Sequence, residues 1–199
     1  MLVAANLVPL AGVLFFGWST FATLLLFWVE NVIVGGFNVL RMLWAQPDNP
    51  LIWVAKAGTI PFFIIHYGLF TTVHGVFVLT LFGGVHERGF PAPTEFFHAV
   101  RAAGIWPAAL VLAASHGVSF AFNYIGGGQY RTAALADLMG RPYGRVMVLH
   151  VVILGGGFLV QALGAPVAAI AMLVVLKTGL DLAGHLREHP VPIGVVRSA

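Results

Sequence analysis

The sequence contains no cysteine and very few charged residues. The absence of cysteine excludes disulfides, thiolate metal sites, iron–sulfur clusters and cysteine nucleophiles. Charged residues make up 9% of the 199 residues, whereas soluble domains carry about 25%, so an ordinary soluble globule is excluded as well. The formal net charge of +3 is too small and too scattered to indicate nucleic-acid binding. The apolar share of 59% and the 24 glycines are instead typical of an integral protein of the lipid bilayer.

Long apolar runs predict an all-α fold, a polytopic membrane bundle of about six transmembrane helices that forms one integral membrane domain over residues 1–199. A helix needs roughly 20 apolar residues to cross the bilayer. The predicted spans cover residues 2–16, 19–44, 61–83, 105–125, 142–163 and 167–189. The first run is short for a full crossing, so it tilts, thins the bilayer or is re-entrant. The neighbouring glycines Gly35 and Gly36 are predicted to let adjacent helices approach closely.

Three shorter segments connect these spans. Residues 51–60 are predicted to form an interfacial helix from which Lys56 snorkels towards the headgroups. The polar loop 85–101 contains Thr94-Glu95-Phe96-Phe97, which predicts a capped, amphipathic surface helix. Residues 126–141 form a basic loop that opens with three glycines.

The distribution of basic residues predicts the orientation of the bundle. With six spans both termini lie on one side, and that side collects Arg41, Lys56, Arg131, Arg141, Arg145, Arg187 and Arg197. The opposite side has only Arg88 and Arg101. The positive-inside rule therefore predicts cytoplasmic termini and an external loop at residues 85–101.

Ionisable side chains are unexpectedly frequent within the predicted spans. Each costs at least ~2.5–3.5 kcal/mol at mid-membrane on insertion scales, so such a residue indicates a functional site by default. The candidates are Glu30, His66, His74, His116, His150, Asp181, His185 and His189. We predict that Glu30 faces the bundle interior and pairs with a histidine or a metal, because lipid offers a carboxylate no partner.

The last predicted span carries the most regular spacing among these candidates. Asp181, His185 and His189 follow one another at intervals of four residues, which places them on one helix face. One ion can take a pair with this spacing, as in zincin helices. The third residue would then hydrogen-bond to a metal-binding histidine and fix its orientation, or it would bind a second ion, or it would be solvated.

The predicted orientation places the candidates at two depths. His66, His150, Asp181 and His185 fall in the cytoplasmic half, and Glu30, His74 and His116 fall near the midplane. Imidazole and carboxylate ligands without thiolates suit zinc or iron. The sequence therefore predicts a divalent-metal site, with Glu30 as a ligand or as the base that handles the proton of a metal-bound water.

Several functions are compatible with such a site. A metal-dependent hydrolase or oxidase acting on a lipid-soluble substrate is the leading prediction. An ion, proton or metal transporter is an alternative, because polar residues at several depths of the membrane can form a pathway for ions or protons. Haem held between histidines of two spans is another, and so is a structural role in which histidines bond between helices. Metal identity and oligomeric state stay open.

Three segments carry a resemblance to known families. FWVEN at residues 27–31, HYGLFTTVHG at residues 66–75 and DLAGHLREH at residues 181–189 resemble an uncharacterised family of bacterial multi-pass membrane proteins. That resemblance implies a bacterial inner-membrane location and brings no activity with it. His185 and His189 also resemble the HxxxH motif on the last span of membrane zinc hydrolases of the ceramidase and adiponectin-receptor type. This chain departs from their pattern, because it has one span fewer and Asp181 shares a helix with the pair.

Overall fold

The computed structural model describes residues 17–84 and 91–163, and the regular elements in these ranges are all helical. Helix α1 covers Thr20–Trp44, and α2 covers Pro50–Phe77 and continues as a π-helical segment over Val78–Phe82. Helix α3 covers Pro93–Ala102. Helix α4 covers Trp106–Val118 and continues as a π-helical segment over Ser119–Gly126. A short 3₁₀ turn at Gln129–Arg131 then leads to α5, Leu135–Leu163.

Three of these segments are long and apolar enough to cross a membrane, namely Thr20–Trp44, Pro50–Phe82 and Trp106–Gly126. They correspond to the second, third and fourth predicted spans. The prediction of an all-helical protein with several candidate membrane spans is therefore confirmed for the described residues. The fifth predicted span falls within α5, which is not among the three. Residues 2–16 and 167–189 lie outside the described residues. The described part of the chain thus supports three spans rather than six.

Helix α1 lies at the centre of the bundle, where it packs against α2, α4 and α5. It begins at Ser19, whose side chain accepts a hydrogen bond from the Ala22 amide, the usual role of a serine N-cap. Ala22 and Leu24–Phe27 form one apolar core with Val78 and Ile105. Farther along, a second core forms around Met42 of α1, where residues of α2 and α5 join it.

The predicted interfacial helix at residues 51–60 is wrong, because α2 is one continuous helix with Pro61 inside it. The helix begins early because Pro50 occupies its first turn and the Asn49 side chain accepts from the Leu51 amide. Lys56 does not snorkel. It is only 2% exposed, donates to the Leu43 carbonyl at 2.8 Å and lies over the Trp53 ring. The lysine thus finds a partner among the free carbonyls at the end of α1.

Helix α5 begins at Leu135, so Pro142 lies inside the helix rather than at its start as predicted. A proline has no amide hydrogen, so the carbonyl four residues earlier, that of Leu138, has no helical donor. The Asn38 side chain on α1 donates to this carbonyl at 2.8 Å, and Asn38 is itself 2% exposed. A polar side chain of one helix therefore satisfies the backbone group that a proline leaves free in another.

Helix α3 confirms the predicted surface helix but not its predicted cap. The N-cap position is Ala92, without a side-chain hydrogen bond, and Pro93 starts the first turn, so Thr94 lies within the helix. The Phe96 ring stacks on Trp28 with centroids 4.8 Å apart. The helix is therefore held by an aromatic contact to α1.

Candidate functional site

A row of polar side chains follows the contact between α2 and α5. Residues His66 and His74 are eight positions apart on α2, and Tyr143 and His150 are seven apart on α5, so each pair lies two turns apart on one helix face. His66 Nδ1 lies 2.7 Å from the Tyr143 hydroxyl, and His74 Nε2 lies 2.7 Å from His150 Nδ1. We name these four residues the histidine seam.

The protonation of the His74–His150 pair follows from its hydrogen bonds. His74 Nδ1 lies 2.7 Å from the Phe70 carbonyl oxygen, which can only accept, so this nitrogen carries the proton and donates. In neutral His74 the Nε2 atom is then an acceptor, and His150 Nδ1 donates to it. A neutral His150 therefore keeps its own Nε2 lone pair available for a proton.

Aromatic rings surround this pair. The Phe70 ring centroid lies 5.0 Å from that of His74 and 6.2 Å from that of His150, and Phe77 meets His74 edge-on at 6.5 Å. His74 is 2% exposed, whereas His150 is partly exposed. The pair thus combines a nearly enclosed imidazole with a more accessible one, in apolar surroundings that strengthen its hydrogen bonds.

The other end of the histidine seam is more open. His66 is exposed, its ring stacks on Phe62 at 5.3 Å, and its second neighbour is the Tyr143 ring at 5.5 Å. Tyr143 was not predicted as a site residue. The signal that indicates it is its position seven residues, or about two helical turns, before His150, because His66 and His74 on α2 are also about two turns apart, at eight residues.

The remaining candidates lie on α1 and α4 or outside the described residues. Glu30 is half-buried on α1, and His116 is half-buried on α4 with its ring 6.1 Å from that of Phe37. The predicted pairing of Glu30 with a histidine or metal stays a prediction. Asp181, His185 and His189 lie outside the described residues.

The structure joins His74 to His150, whereas the depth argument grouped His150 with His66. Both helices begin before their predicted spans, α2 at Pro50 rather than residue 61 and α5 at Leu135 rather than residue 142. The pairing depends on the register of α5 along α2, which the lengths of the apolar runs do not determine.

The described residues contain no group of three or more histidine, aspartate or glutamate side chains that could hold a metal ion. The His74–His150 pair supplies two imidazole nitrogens, whereas zinc sites in proteins use three or four protein ligands. A metal centre at this pair therefore requires ligands from outside residues 17–84 and 91–163.

Residues 1–193 match the model of a family described as a family of unknown function (DUF6498). No curated protein and no solved structure matches the chain. The likeness to membrane zinc hydrolases stays a prediction.

Proposed function

Since the chain belongs to this family, whose description assigns no activity, we propose a function from the histidine seam itself. The protein is an integral membrane protein that holds a divalent metal, zinc or iron, at His74 and His150. The observation that carries the proposal is the 2.7 Å contact between His74 Nε2 and His150 Nδ1, together with the bond from His74 Nδ1 to the Phe70 carbonyl.

The hydrogen bond to Phe70 is the contact that a metal-bound histidine makes with its second nitrogen. Metal-ligating histidines almost always donate that N–H to a carbonyl, carboxylate or water, which fixes the tautomer and directs the other nitrogen at the metal. Two nitrogens that share a tetrahedral ion at about 2.0–2.1 Å each stand about 3.3 Å apart. The pair would therefore open by about 0.6 Å to take an ion, and His150 would carry its proton on Nε2 instead of Nδ1.

Completing the metal centre requires further ligands, for which we propose Asp181 and His185 of the last predicted span. Their four-residue spacing suits one ion. His189 would then be solvated or orient a ligand. Glu30 would take the proton of a metal-bound water in hydrolysis or oxidation of a lipid-soluble substrate.

The topology that we propose for this function has six spans and cytoplasmic termini in a bacterial inner membrane, with α5 as the fifth span. Residues 146–163 of α5 contain no Asp, Glu, Lys or Arg. The turn after α1 meets the loop after α4, because the Gln46 amide donates to the Tyr130 carbonyl and its side chain to the Ala133 carbonyl. Arg41, Lys56 and Arg131 are thereby collected at one end of the bundle, as the positive-inside rule requires.

A proton path is a second candidate, supported by the length of the histidine seam. The His66–Tyr143 and His74–His150 contacts are both 2.7 Å long and lie two turns apart, with Phe70 between them. Haem receives less support from this pair. The two imidazole nitrogens are in direct contact at 2.7 Å, which leaves no space between the rings for a porphyrin.

The test is the metal content of protein purified without chelator. We expect His150→Ala to lower the amount of bound zinc or iron at least ~10-fold. Even the loss of a residue that only hydrogen-bonds to a metal ligand lowers metal affinity by about 10- to 100-fold. The matched control is His98→Ala, because His98 is an exposed histidine on α3 and should leave the metal content unchanged. Equal metal in the parent protein and both variants, or no metal in any of them, would refute the metal site. Proton uptake by vesicles that is lost in His74→Gln would then support the proton path.

A further inference from the structure

We propose that the groove between α3 and the first turns of α4 binds a phospholipid whose head group carries a net negative charge. The groove has a volume of about 490 Å³, within the range of about 300–1,000 Å³ typical of small-molecule sites. Its lining combines one arginine, Arg101, with the apolar residues Phe97, Val100, Trp106, Ala109 and Leu110. This proposal does not rest on the metal site, because the histidine seam lies between α2 and α5.

The groove lies where the chain enters a candidate membrane span. Along the chain, α3 falls between the end of one such span at Phe82 and the start of another at Trp106, which places it at the edge of the bilayer. Gly104 turns the chain between α3 and α4 with a positive φ of 68°, a conformation that favours glycine. Ile105 is buried in the apolar core of α1 and fixes this corner. The groove is therefore held at the level of the lipid head groups.

The apolar walls of the groove face outwards rather than into the bundle. Phe97, Trp106 and Leu110 are 70%, 53% and 60% exposed. Apolar side chains at this boundary suit a hydrocarbon chain, and tryptophan is enriched there because its ring is apolar and its N–H is polar. The other side of α3, with Ala99 and Ala103, packs against the core of α1. The groove thus offers an apolar surface to a lipid chain without any rearrangement of the bundle.

Arg101 identifies the chemical class of the head group. It is exposed on the last turn of α3, and its guanidinium makes no hydrogen bond or ion pair with another described residue. A guanidinium binds phosphate oxygens through two parallel hydrogen bonds. Among the described residues that line the groove none is acidic, so the ammonium of a zwitterionic lipid would find no carboxylate there. One cation beside an apolar surface matches a phosphate that carries hydrocarbon chains and no compensating positive charge.

The experiment measures the quenching of Trp106 fluorescence by brominated lipids in mixed micelles of the full-length protein. Phosphatidylglycerol and phosphatidylcholine with the same brominated chains are compared, and the part of the quenching that is lost in Trp106→Phe reports on the groove. We expect saturable quenching, with an affinity about 5-fold higher for phosphatidylglycerol, which is the effect of one basic side chain at an anionic membrane surface. Equal affinities, or quenching without saturation, would identify ordinary surrounding lipid and overturn the proposal.

Variants of Arg101 test the role of its charge. Arg101→Gln should remove the preference for phosphatidylglycerol, whereas Arg101→Lys should keep part of it, because the charge remains while the planar fork of donors is lost. The matched control is Arg141→Gln, at an exposed arginine of α5 that does not line the groove. It removes the same charge and should leave the preference unchanged. An equal loss in Arg101→Gln and Arg141→Gln would show an effect of net charge alone and would contradict the site.

A second pair of variants tests the location. Ala109→Phe should fill part of the groove and weaken the quenching by both lipids, whereas Ala114→Phe, at an exposed alanine of α4 outside the groove, should not. Ala109→Leu repeats the test if Ala109→Phe does not yield folded protein. Binding that is unchanged by these groove-filling variants would refute the location.

Inorganic phosphate tests whether the hydrocarbon chains are needed for binding. Phosphate should displace phosphatidylglycerol no more than sodium chloride does at the same ionic strength, because the apolar walls of the groove bind only the lipid. Displacement by phosphate beyond this effect of salt would reveal a simple anion site and would overturn the lipid proposal.

Discussion

The hydrogen bond between Asn38 and the Leu138 carbonyl allows a sharp test of how α5 tolerates Pro142. We consider Asn38→Leu, which keeps the side-chain volume and removes the donor. The Leu138 carbonyl then has neither the amide that Pro142 lacks nor the Asn38 side chain, which donates to it at 2.8 Å. The variant therefore leaves one buried carbonyl unpaired and also removes the weak contact of Asn38 Nδ2 with Met42 Sδ at 3.7 Å.

The expected loss of unfolding free energy is about 1–2 kcal/mol. Leaving a buried polar group unpaired costs about 1–3 kcal/mol. Hydrogen bonds between membrane helices average only about 0.6 kcal/mol in double-mutant cycles and reach about 1.7. The upper part of that range applies here, because Asn38 is buried and the carbonyl has no alternative donor in its own helix.

The assay is SDS-induced unfolding of the purified protein in mixed micelles, followed by circular dichroism. In the Pro142→Ala background the alanine amide restores the helical donor, so Asn38→Leu should there cost less than ~0.5 kcal/mol. Asn123→Leu, at an exposed asparagine, is the control and should change stability by no more than ~0.5 kcal/mol. If Asn38→Leu costs the same in both backgrounds, the proposed link between Asn38 and Pro142 is refuted.

Two further predictions concern packing and topology. Gly35→Ala should destabilise the protein by about 1–3 kcal/mol, because its Cβ would lie 2.5 Å from the buried Tyr67 ring, whereas Gly36→Ala should be neutral or stabilising because nothing lies within 4 Å. SDS unfolding measures both, and equal effects would contradict the packing argument. For topology, a reporter fused to the C-terminus should be active in the cytoplasm and one in the loop 85–101 outside; a C-terminus found outside would refute the proposed orientation.

The sequence was sufficient for the spans whose apolar length decides the structure. Residues 19–44 and 105–125 match Thr20–Trp44 and Trp106–Gly126 within one residue at each end. A bilayer forces an apolar stretch of this length to be helical, because its backbone groups have no other partner. The same rule does not locate helix ends that lie in polar segments, and the starts of α2 and α5 were misplaced for that reason.

The glycine pair on α1 shows the limit of sequence patterns for packing. Both Gly35 and Gly36 were predicted to permit close helix approach, yet only Gly35 faces the Tyr67 ring, whereas a Cβ atom added at Gly36 would meet nothing within 4 Å. Adjacent residues point about 100° apart on a helix, so the rotation of α1 against α2 decides which of them is in contact. That rotation depends on all the side chains between the helices.

For the candidate site, the sequence by itself determined that His66, His74 and His150 lie within an apolar helical bundle, because composition and run length suffice for that. The tertiary structure alone decided that His74 meets His150 and that Tyr143 meets His66. Pairing across two helices depends on their relative register, and a shift of two turns changes every partner.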